Sequence, residues 1–404
     1  MEHKNRMRKT IAIITSTAAA LSLVAVGVYL LTDRQTDQVT AGVSTPSPTT
    51  EPVSEPEVYR ASLFMVGDAL LHEGIWLDAS DWGRSTEYNF EPMMGEIAGH
   101  AAKYDLAYYN QETILGGTEL GLSGYPAFNG PKEFGRDMVN MGFDLVSTAT
   151  NHSLDMSETG INSSLEFWDT QNVIHAGTAR TPEEADMIKT GEVNGITYAF
   201  LSWTYGCNGI QPPAGKEWMV NIYGDGVYYT NRQEEMLEQI RQADAMADVV
   251  IVAAHWGTEY AMEINAEQEQ LSKAMSDAGA DIIVGNHPHV IQPVSWINDG
   301  KTICYYAMGN LVSEQDALEN NIGMAGVVDI VKTVDGDNVE VQIENARADL
   351  LYSYHDAGYA NVHVYPFSSL TDAVLPGYQS IYNDYINNVV LSLDPSITIG
   401  NIFN

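Results

Sequence analysis

Four apolar stretches of the chain, each as long as a buried β-strand, are followed at once by polar side chains that can bind metal ions or transfer protons. The stretches and the side chains after them are residues 64–67 with Asp68, residues 143–150 with Asn151 and His152, residues 249–254 with His255, and residues 281–285 with Asn286, His287, Pro288 and His289. In an open α/β sheet, groups at the carboxyl ends of strands converge on one crevice. The pattern therefore predicts that these side chains form one site.

Helical segments separate the apolar stretches. Residues 135–141, 232–247 and 266–278 have helical character. Asn231 and Glu234 have the three-residue spacing of a capping box at the start of the second helix. The repeated order of helix, short turn, apolar strand and ligand-type residue predicts an α/β fold whose sheet is covered on both faces.

The last third of the chain has a different pattern. Residues 303–308 predict a strand, and residues 325–332 and 339–345 flank an Asp-Gly-Asp sequence at 335–337 that is typical of a hairpin turn. We therefore expect a second, more antiparallel sheet packed on the first. Residues 351–404 are mixed in character, and we assign them no role beyond a C-terminal extension.

The amino-terminal segment predicts a membrane anchor. Residues 1–9 contain four basic side chains, and residues 10–32 form an uncharged run close to the roughly 20 residues that cross a bilayer as a helix. Basic residues before this run place the amino terminus in the cytoplasm and the folded domain outside the cell, on a single-pass anchor. A cleaved signal peptide is the alternative, and it also exports the protein. Residues 33–57, rich in Thr, Ser, Pro and Glu, predict a disordered linker before a main domain at 58–350.

Net charge narrows the classes of partner. The chain has 19 basic and 54 acidic residues, which gives a net charge of −35. This charge argues against nucleic acid as a partner, because phosphate binding depends on Lys and Arg. An anionic polymer would need cations in the site to attract it. A solubilising extracellular surface would explain the acidity without any partner.

The two histidines after the fourth stretch indicate a metal site. Pro288 biases His287 toward an extended conformation, in which side chains two residues apart share a face. We therefore expect His287 and His289 to reach the same small cluster, although two surface histidines on a turn are the ordinary alternative. A set of Asp, Glu, Asn and His ligands suits Mn, Zn, Fe or Ni, and we expect two divalent ions.

His152 is the candidate general acid. It follows Asn151, whose amide oxygen is a neutral metal ligand, and Asp155 lies three residues further on as its candidate orienting partner. The ordinary alternative for Asn151 is the N-cap of a helix. His255 is a further candidate ligand, and the competing interpretation is a histidine that packs in the core.

Carboxylates that follow apolar stretches complete the candidate set. Asp68 and Glu112 are the carboxylates that could bridge two cations and offset their charge. Additional candidates for the same centre are His72, Asn110, Glu259 and Asn310.

Together these motifs resemble the CapA family of capsule and poly-γ-glutamate synthesis proteins, which is related to the calcineurin-like metallophosphoesterases. The matching elements, in order between residues 60 and 313, are Gly67-Asp68, Asn110-x-Glu112, Asn151-His152-x-x-Asp155, His255-Trp256-Gly257-x-Glu259, Gly285-Asn286-His287-Pro288-His289-Val290 through Gln292-Pro293, and Gly309-Asn310. The resemblance implies a metallophosphatase-like α/β/β/α sandwich with a two-metal centre.

The resemblance also implies a role for each side chain. The implied ligand sets are Asp68, His289 and the bridging Glu112 for one metal, and Asn151, His255, His287 and Glu112 for the other. His152 would be the acid near the leaving group. The chain departs from the metallophosphoesterase pattern at Leu70, where Asp-x-His has its histidine, and at Glu112, which replaces the usual Asp.

The leading functional hypothesis is a membrane-anchored extracellular protein of capsule or poly-γ-glutamate biosynthesis or export that acts as a metal-dependent hydrolase or transferase. The alternative is a non-catalytic accessory that binds the anionic polymer or its precursor beside the subunits of a membrane synthetase. A third hypothesis is a soluble substrate-binding module without a catalytic metal.

Overall fold

The computed structural model describes residues 55–81, 83–224 and 227–403. The predicted cytoplasmic tail, the predicted anchor at 10–32 and nearly all of the predicted linker lie outside these ranges. Among the helices of the described residues, none has the length and apolar character needed to cross a bilayer.

The described chain alternates between strands and helices. The strands are β1 (Glu57–Ala69), β2 (Leu106–Gln111), β3 (Leu145–Ser147), β4 (Ile174–Ala176), β5 (Lys189–Val193), β6 (Ile196–Thr204), β7 (Val249–His255), β8 (Ile282–Asn286), β9 (Val294–Ile297), β10 (Thr302–Tyr305), β11 (Asn310–Val312), β12 (Ile322–Asp335), β13 (Asn338–Tyr354), β14 (His363–Pro366) and β15 (Thr398–Ile399). The α-helices are α1 (Glu73–Ala79), α2 (Glu91–Ala101), α3 (Lys132–Asn140), α4 (Ser157–Trp168), α5 (Pro182–Ala185), α6 (Gln233–Asp244), α7 (Ala266–Asp277), α8 (Leu318–Asn321) and α9 (Tyr378–Tyr385). Short 3-10 turns lie at Thr118–Leu120, Glu217–Met219 and Phe367–Ser369, and a π-helical turn lies at Ile386–Val390.

The first sheet is mixed. Its strand order is β14-β13-β12-β1-β2-β3-β4, with β11 beside β1 and β15 beside β13. Strands β1 to β4 are parallel, whereas β12, β13 and β14 are antiparallel neighbours on the other side of β1. Parallel neighbours require crossover connections, and helices α1 to α4 lie in these connections.

The second sheet has the strand order β5-β6-β7-β8-β10-β9. Strands β6, β7, β8 and β10 are parallel, and the antiparallel strands β5 and β9 form its two edges. Helix α6 connects β6 to β7, and α7 connects β7 to β8. The carboxyl ends of β7 and β8 therefore lie at the same end of the sheet.

The two sheets pack face to face, with helices on the outer faces. Met65 of β1 and Ile251 of β7 belong to one buried core between the sheets. Because side chains alternate along a strand, Phe64 packs outward with residues of α2 and α3, and Val252 packs outward with residues of α6 and α7. These four layers confirm the predicted α/β/β/α sandwich.

The predicted hairpin is formed by β12 and β13, but it does not belong to a second sheet. β12 pairs with β1 along its length, from Glu57 opposite Val334 to Met65 opposite Gly326. The prediction of a separate antiparallel sheet made of these strands is therefore wrong. Strand β1 has an edge that β2 does not occupy, and the hairpin pairs there. Alternation along a strand specifies which face is buried, not which strand is its neighbour.

Helix capping also differs from the prediction. Helix α6 begins after Arg232, and Asn231 Oδ1 accepts a hydrogen bond from Gln233 N at 3.0 Å without forming a capping box. The capping box is found at α7, where Asn265 Oδ1 accepts from Gln268 N at 2.9 Å and Gln268 Oε1 accepts from Asn265 N at 3.1 Å.

Residues after 350 are part of the same fold. The predicted boundary at residue 350 falls inside β13. Phe367, Val390 and Ile397 contribute to the core between the sheets, and Ile402 contributes to the core under α2 and α3.

A backbone segment that crosses between the sheets positions the carboxyl ends of β1 and β8. Met308 N, in this segment, donates to Gly285 O at 3.0 Å, and Asp68 N donates to Gly309 O at 2.9 Å. A Cβ atom at Gly285 would lie 1.8 Å from Tyr306 O. Glycine at 285 therefore permits an approach of backbones that no other residue allows.

Candidate metal centre

Carboxylates and histidines from both sheets meet at one end of the sandwich. Asp68 lies near the end of β1, Glu112 directly follows β2, His255 ends β7, and His287 and His289 follow β8. All five side chains are buried, with exposures between 0% and 4%. The structure therefore brings together chemical groups that are far apart in the sequence.

These side chains form two groups that share Glu112. Ligand atoms of Glu112, His255 and His287 lie within 4.8 Å of one another. Ligand atoms of Asp68, Glu112 and His289 also lie within 4.8 Å of one another. Glu112 Oε1 is 3.7 Å from His255 Nε2 and 3.6 Å from His289 Nε2. Glu112 is therefore the carboxylate that the two groups have in common.

Asn151 extends the first group. Its Oδ1 lies 3.0 Å from His255 Nε2, while its Nδ2 donates to Asn208 Oδ1 at 3.4 Å. Helix α4 begins at Ser157 and has Met156 as its N-cap residue. Asn151 is therefore not a helix cap, and its amide oxygen points to the histidine side of the cluster.

The turn after β8 is not the extended segment that the sequence suggested. His287 has a φ of 98° and His289 a φ of 58°, so both are in the left-handed region. Pro288 by itself would favour an extended conformation at His287. In the observed conformation, His287 N donates a hydrogen bond to Asp68 Oδ2 at 3.1 Å, a contact between distant parts of the chain. The expectation that both rings share one extended face is wrong. The turn sends the two rings into different groups, with ring centroids 6.1 Å apart.

Asp68 is oriented by neighbouring strands. Asn110 Nδ2 donates to Asp68 Oδ1 at 2.8 Å, and Ser147 Oγ donates to Asn110 Oδ1 at 2.5 Å. Burial raises the pKa of Asp68 to about 7, and the hydrogen bonds from Asn110 and His287 N oppose that rise. Asp68 Oδ2, which accepts the hydrogen bond from His287 N, lies 3.6 Å from His289 Nδ1.

Asn310 determines the tautomer of His289. Asn310 Oδ1 lies 2.9 Å from His289 Nδ1, and Asn310 Nδ2 donates to Asn320 O at 2.9 Å. Because the Asn310 oxygen can only accept, His289 Nδ1 carries the proton. The lone pair of His289 is then on Nε2, the nitrogen nearer Glu112, as a metal ligand requires.

His152 is oriented by a second carboxylate. His152 Nδ1 lies 2.7 Å from Asp155 Oδ2, which also accepts from Phe128 N at 2.7 Å. The Phe128 ring packs edge-on against the imidazole, with centroids 4.6 Å apart. An Asp155 carboxylate that accepts a hydrogen bond from Nδ1 leaves Nε2 for proton transfer.

Glu112 has an unfavourable environment for a charge. Burial, followed by repulsion from Asp68, Glu259 and Asp155, raises the pKa of Glu112 well above its ordinary value. Neither of its carboxylate oxygens accepts a hydrogen bond from any described residue. A buried carboxylate without partners is costly. The donor set around it therefore fits a bound cation.

The histidines do not supply this positive charge themselves. Burial lowers the pKa of His255 and His287 well below the ordinary value, and it lowers the pKa of His289 to about 4. Neutral imidazoles are the form that binds metal ions. Nδ1 of His255 and of His287 also has no hydrogen-bond partner among the described residues.

His72 and Glu259 belong to neither group. His72 Nδ1 lies 3.2 Å from Leu70 O and 3.2 Å from Glu314 N, so backbone groups engage this nitrogen. Burial lowers the pKa of His72 to about 4. Glu259 is exposed, in the loop after β7.

Several residues around the centre were not identified from the sequence. Tyr108 OH accepts from Asn286 Nδ2 at 2.7 Å and lies 2.9 Å from Ser147 Oγ, which links the two sheets beside Asp68. Tyr205 directly follows β6, so the strand-end pattern could have identified it. Phe128 and Tyr260 lie in loops and carry no such signal.

Solved structures show partial likeness. A crystal structure described as a novel phosphatase from Mycoplasma pneumoniae has a TM-score of 0.44 at 12% identity, covering 73% of this chain and 95% of that chain. A hypothetical protein from Thermus thermophilus has a TM-score of 0.38 at 16% identity, covering 70% of this chain and 98% of that one. At these scores neither adds to the fold described above.

Sequence comparisons are more specific. The PGA biosynthesis protein CapA of Bacillus subtilis (strain 168) is 36% identical over 185 residues, 46% of each chain. The capsule biosynthesis protein CapA of Bacillus anthracis is 31% identical over 186 residues, 43% of this chain and 41% of the relative. The chain thus spans less than half the length of these two curated relatives. The model of the family described as bacterial capsule synthesis protein PGA_cap matches residues 62–315, more than half of the chain. The chain therefore belongs to the CapA family of bacterial capsule synthesis proteins.

Proposed function

We propose that this protein is a metal-dependent hydrolase or transferase of capsule or poly-γ-glutamate assembly, with two cations at positions that share Glu112. The state of Glu112 is the main support. Its carboxylate is fully buried and accepts no hydrogen bond from the described residues, and histidine ligand atoms surround it. Bound cations would offset a charge that the protein leaves uncompensated.

The chain supplies oxygen and imidazole ligands for both positions. One position would be held by Glu112, His255, His287 and Asn151, and the other by Glu112, Asp68 and His289. When bound, such ions supply Lewis-acid activation of substrate and water. Asn110 and Asn310 orient ligand side chains through hydrogen bonds, as groups outside the ligand set of metal enzymes usually do.

His152 would donate the proton that the leaving group needs. Asp155 Oδ2 is within hydrogen-bond distance of His152 Nδ1, and the Phe128 ring packs edge-on against the imidazole. The pair therefore has the arrangement of a positioned acid.

We propose further that the folded domain lies outside the cell. Residues 10–32 have the length and the uncharged composition of a single membrane anchor, and the basic residues before them favour a cytoplasmic amino terminus. The excess of acidic residues is compatible with an extracellular surface.

One observation favours the accessory role instead. Leu70, which is 2% exposed, stands where metallophosphoesterases have a histidine, and His72 does not enter either group. The position held by Asp68 and His289 therefore has few protein ligands. In this alternative, the centre binds an anionic polymer through its cations and passes it to a membrane synthetase without bond cleavage.

Metal content tests the proposal directly. The full chain, purified without chelator, is expected to contain close to two transition-metal equivalents by plasma mass spectrometry. Glu112→Gln should lower this content, because the shared carboxylate is lost, whereas Glu166→Gln, on the exposed face of α4, should keep it. Folded protein that takes up no metal after replenishment would contradict the proposal.

A second variant distinguishes the enzymatic function from the accessory role. His152→Ala should keep the metal but lose turnover in a screen of phosphoesters and γ-glutamyl amides, because only proton transfer is removed. Unchanged capsule output from this variant in cells would favour the accessory role.

A further inference from the structure

Two tyrosines border the metal centre beside the turn that carries both histidines. The Tyr205 ring lies 4.7 Å from the His287 ring, and the Tyr260 ring lies 6.1 Å from the His289 ring. Tyr260 N donates to Pro288 O at 2.8 Å, which ties its loop to that turn. Tyr260 is 56% exposed, so a large part of its side chain is open to a ligand from solvent.

Folding does not explain the choice of tyrosine at position 260. Its φ of 64° lies in the left-handed region, which is unfavourable for a bulky residue and is tolerated by Gly or Asn. Because the ring is largely exposed, its burial recovers little of the free energy that the unfavourable backbone conformation costs. Strained residues of this kind cluster at binding and catalytic sites, so the position points to a ligand contact.

Carboxylates contribute negative charge at both tyrosines. Glu259 directly precedes Tyr260, is exposed, and forms no ion pair with a Lys or Arg of the described residues. Burial, followed by the charges of Glu259 and Glu112, raises the pKa of the Tyr260 phenol. The same causes, in the same order, raise the pKa of Tyr205. This part of the opening therefore combines aromatic rings with a carboxylate that has no cationic partner there.

We propose that Tyr205, Tyr260 and Glu259 form a subsite for a protonated amine of the substrate, whose reacting group lies over the metal centre. The inference rests on the proposed function and names a feature of its substrate. An ammonium group is attracted by an aromatic face within about 6 Å of the ring centroid and by a nearby carboxylate. An anionic group in the same place would be repelled by Glu259.

Two kinds of substrate carry such an amine. One is the amino-terminal end of a γ-linked glutamyl chain, where the α-amine is free, and the other is a phosphate ester of an amino alcohol. Internal residues of a γ-linked chain have their α-nitrogen in an amide. In the first case, the subsite would select the end of the polymer.

Matched pairs of ligands test the subsite by binding alone. The full chain loaded with Mn²⁺ is titrated calorimetrically with 2-aminoethyl phosphate and with propyl phosphate, which differ by an ammonium in place of a methyl group. A second pair is a γ-glutamyl oligomer with a free and with an acetylated amino terminus. We expect a preference of about 5- to 20-fold for the amine in at least one pair. A preference in the ester pair alone assigns an amino-alcohol phosphate, and one in the peptide pair alone assigns the polymer end.

Variants localise the preference. Glu259→Gln should reduce the ratio of affinities toward one, whereas Glu263→Gln should keep it, because Glu263 lines a different cavity with Tyr385 and Leu393. Equal affinities within both pairs in metal-loaded protein would overturn the inference while leaving the proposed metal centre intact. Failure to take up Mn²⁺ would overturn both.

A third variant distinguishes ligand binding from a structural role. Tyr260→Asn should keep or raise the melting temperature, because asparagine tolerates the left-handed region, and it should lower the preference for the amine. A lower melting temperature with an unchanged preference would show that Tyr260 serves the fold alone and would overturn its place in the subsite.

Discussion

Glu112 and Asp68 are fully buried in the same cluster, and burial raises the pKa of each. A cation bound at the proposed centre would therefore compete with protons for the same carboxylates. Metal binding at such sites releases protons and becomes tighter as the pH rises. Without a cation, the Glu112 carboxyl is a source of instability.

The effect of Glu112→Gln on the free energy of unfolding should have opposite signs in metal-free and in metal-loaded protein. In chelator at pH 8 we expect Glu112→Gln to raise the free energy of unfolding by about 1–3 kcal/mol, because a buried carboxyl no longer has to be neutralised. With Mn²⁺ the unsubstituted chain should be the more stable, because ligand binding stabilises the native state. Urea unfolding under both conditions measures the difference. Glu166→Gln should follow the unsubstituted chain in both, and a Glu112→Gln variant that is less stable in chelator would contradict the prediction.

Asp281 should make stability fall as the pH rises toward neutral. Burial raises the pKa of Asp281 to about 7, against a hydrogen bond that its Oδ2 accepts from Val250 N at 2.8 Å. Between about pH 4 and pH 7 the unfolded chain loses this proton and the folded chain keeps it, so stability decreases across that window. Above pH 7 both states are ionised and the penalty is constant.

Urea unfolding of Asp281→Asn at pH 5 and pH 8 checks this sign. Asparagine keeps an acceptor for Val250 N and cannot ionise, so the variant should lose about 1–3 kcal/mol less than the unsubstituted chain between the two pH values. Asp277→Asn should not have this effect, because its Lys273 partner lowers the pKa of Asp277. Equal losses in Asp281→Asn and the unsubstituted chain would contradict the assignment.

At the scale of elements, the site depends on how strand ends are joined. The segment after β10 leaves the second sheet. Its Gly309 O accepts a hydrogen bond from Asp68 N, and its Met308 N donates to Gly285 O. The chain then pairs with β1 as β11. Asn286 at the end of β8 donates to Tyr108 OH on β2. These links set the distance between Asp68 on one sheet and His287 on the other.

Gly285→Ala should disrupt this junction. Its Cβ would lie 1.8 Å from Tyr306 O, and a backbone contact of this kind cannot be relieved by a side-chain rotation. We expect a loss of about 3 kcal/mol or more in the free energy of unfolding, with a lower metal content because the β8 turn moves. Gly99→Ala, where a Cβ meets nothing within 4 Å, should be nearly neutral in both measurements. A Gly285→Ala variant with unchanged stability would show that the backbones can separate at little cost.

At the scale of the whole molecule, the net charge of −35 opposes an anionic partner. Many of the described basic side chains are already in ion pairs, such as Lys332 with Asp248 and Arg347 with Asp329. The acidic surface therefore offers little compensation for a polycarboxylate. Cations at the metal centre would be the main local source of attraction.

Binding of poly-γ-glutamate to the full chain should accordingly require divalent cations. We expect sedimentation of the polymer with the protein in Mn²⁺, and its loss in chelator. Raising monovalent salt should weaken binding less than chelation does, because interactions at a buried centre are screened less than surface ones. Binding that persists unchanged in chelator would exclude cation-mediated contact.

Much of the architecture followed from local pattern. The apolar stretches at 64–67, 249–254 and 281–285 became β1, β7 and β8, and the helices between them formed near their predicted positions. The polar side chains that follow these strands lie at one end of the sandwich, because parallel strands have their carboxyl ends at the same end of a sheet. Family membership was likewise evident from the motifs, and the family match confirmed it.

Contacts between distant segments were decided by the tertiary structure. The hairpin of β12 and β13 joined β1, and the His287–His289 turn took left-handed conformations with Asp68 bonded to His287 N. Tyr205 and Tyr260 came to the metal centre from separate loops. The sequence by itself determined which segments become strands and which side chains follow them, because periodicity and strand-end chemistry are local. Only the tertiary structure decided strand neighbours, ring orientations and the borders of the site, because these depend on hydrogen bonds and packing between residues far apart in the chain.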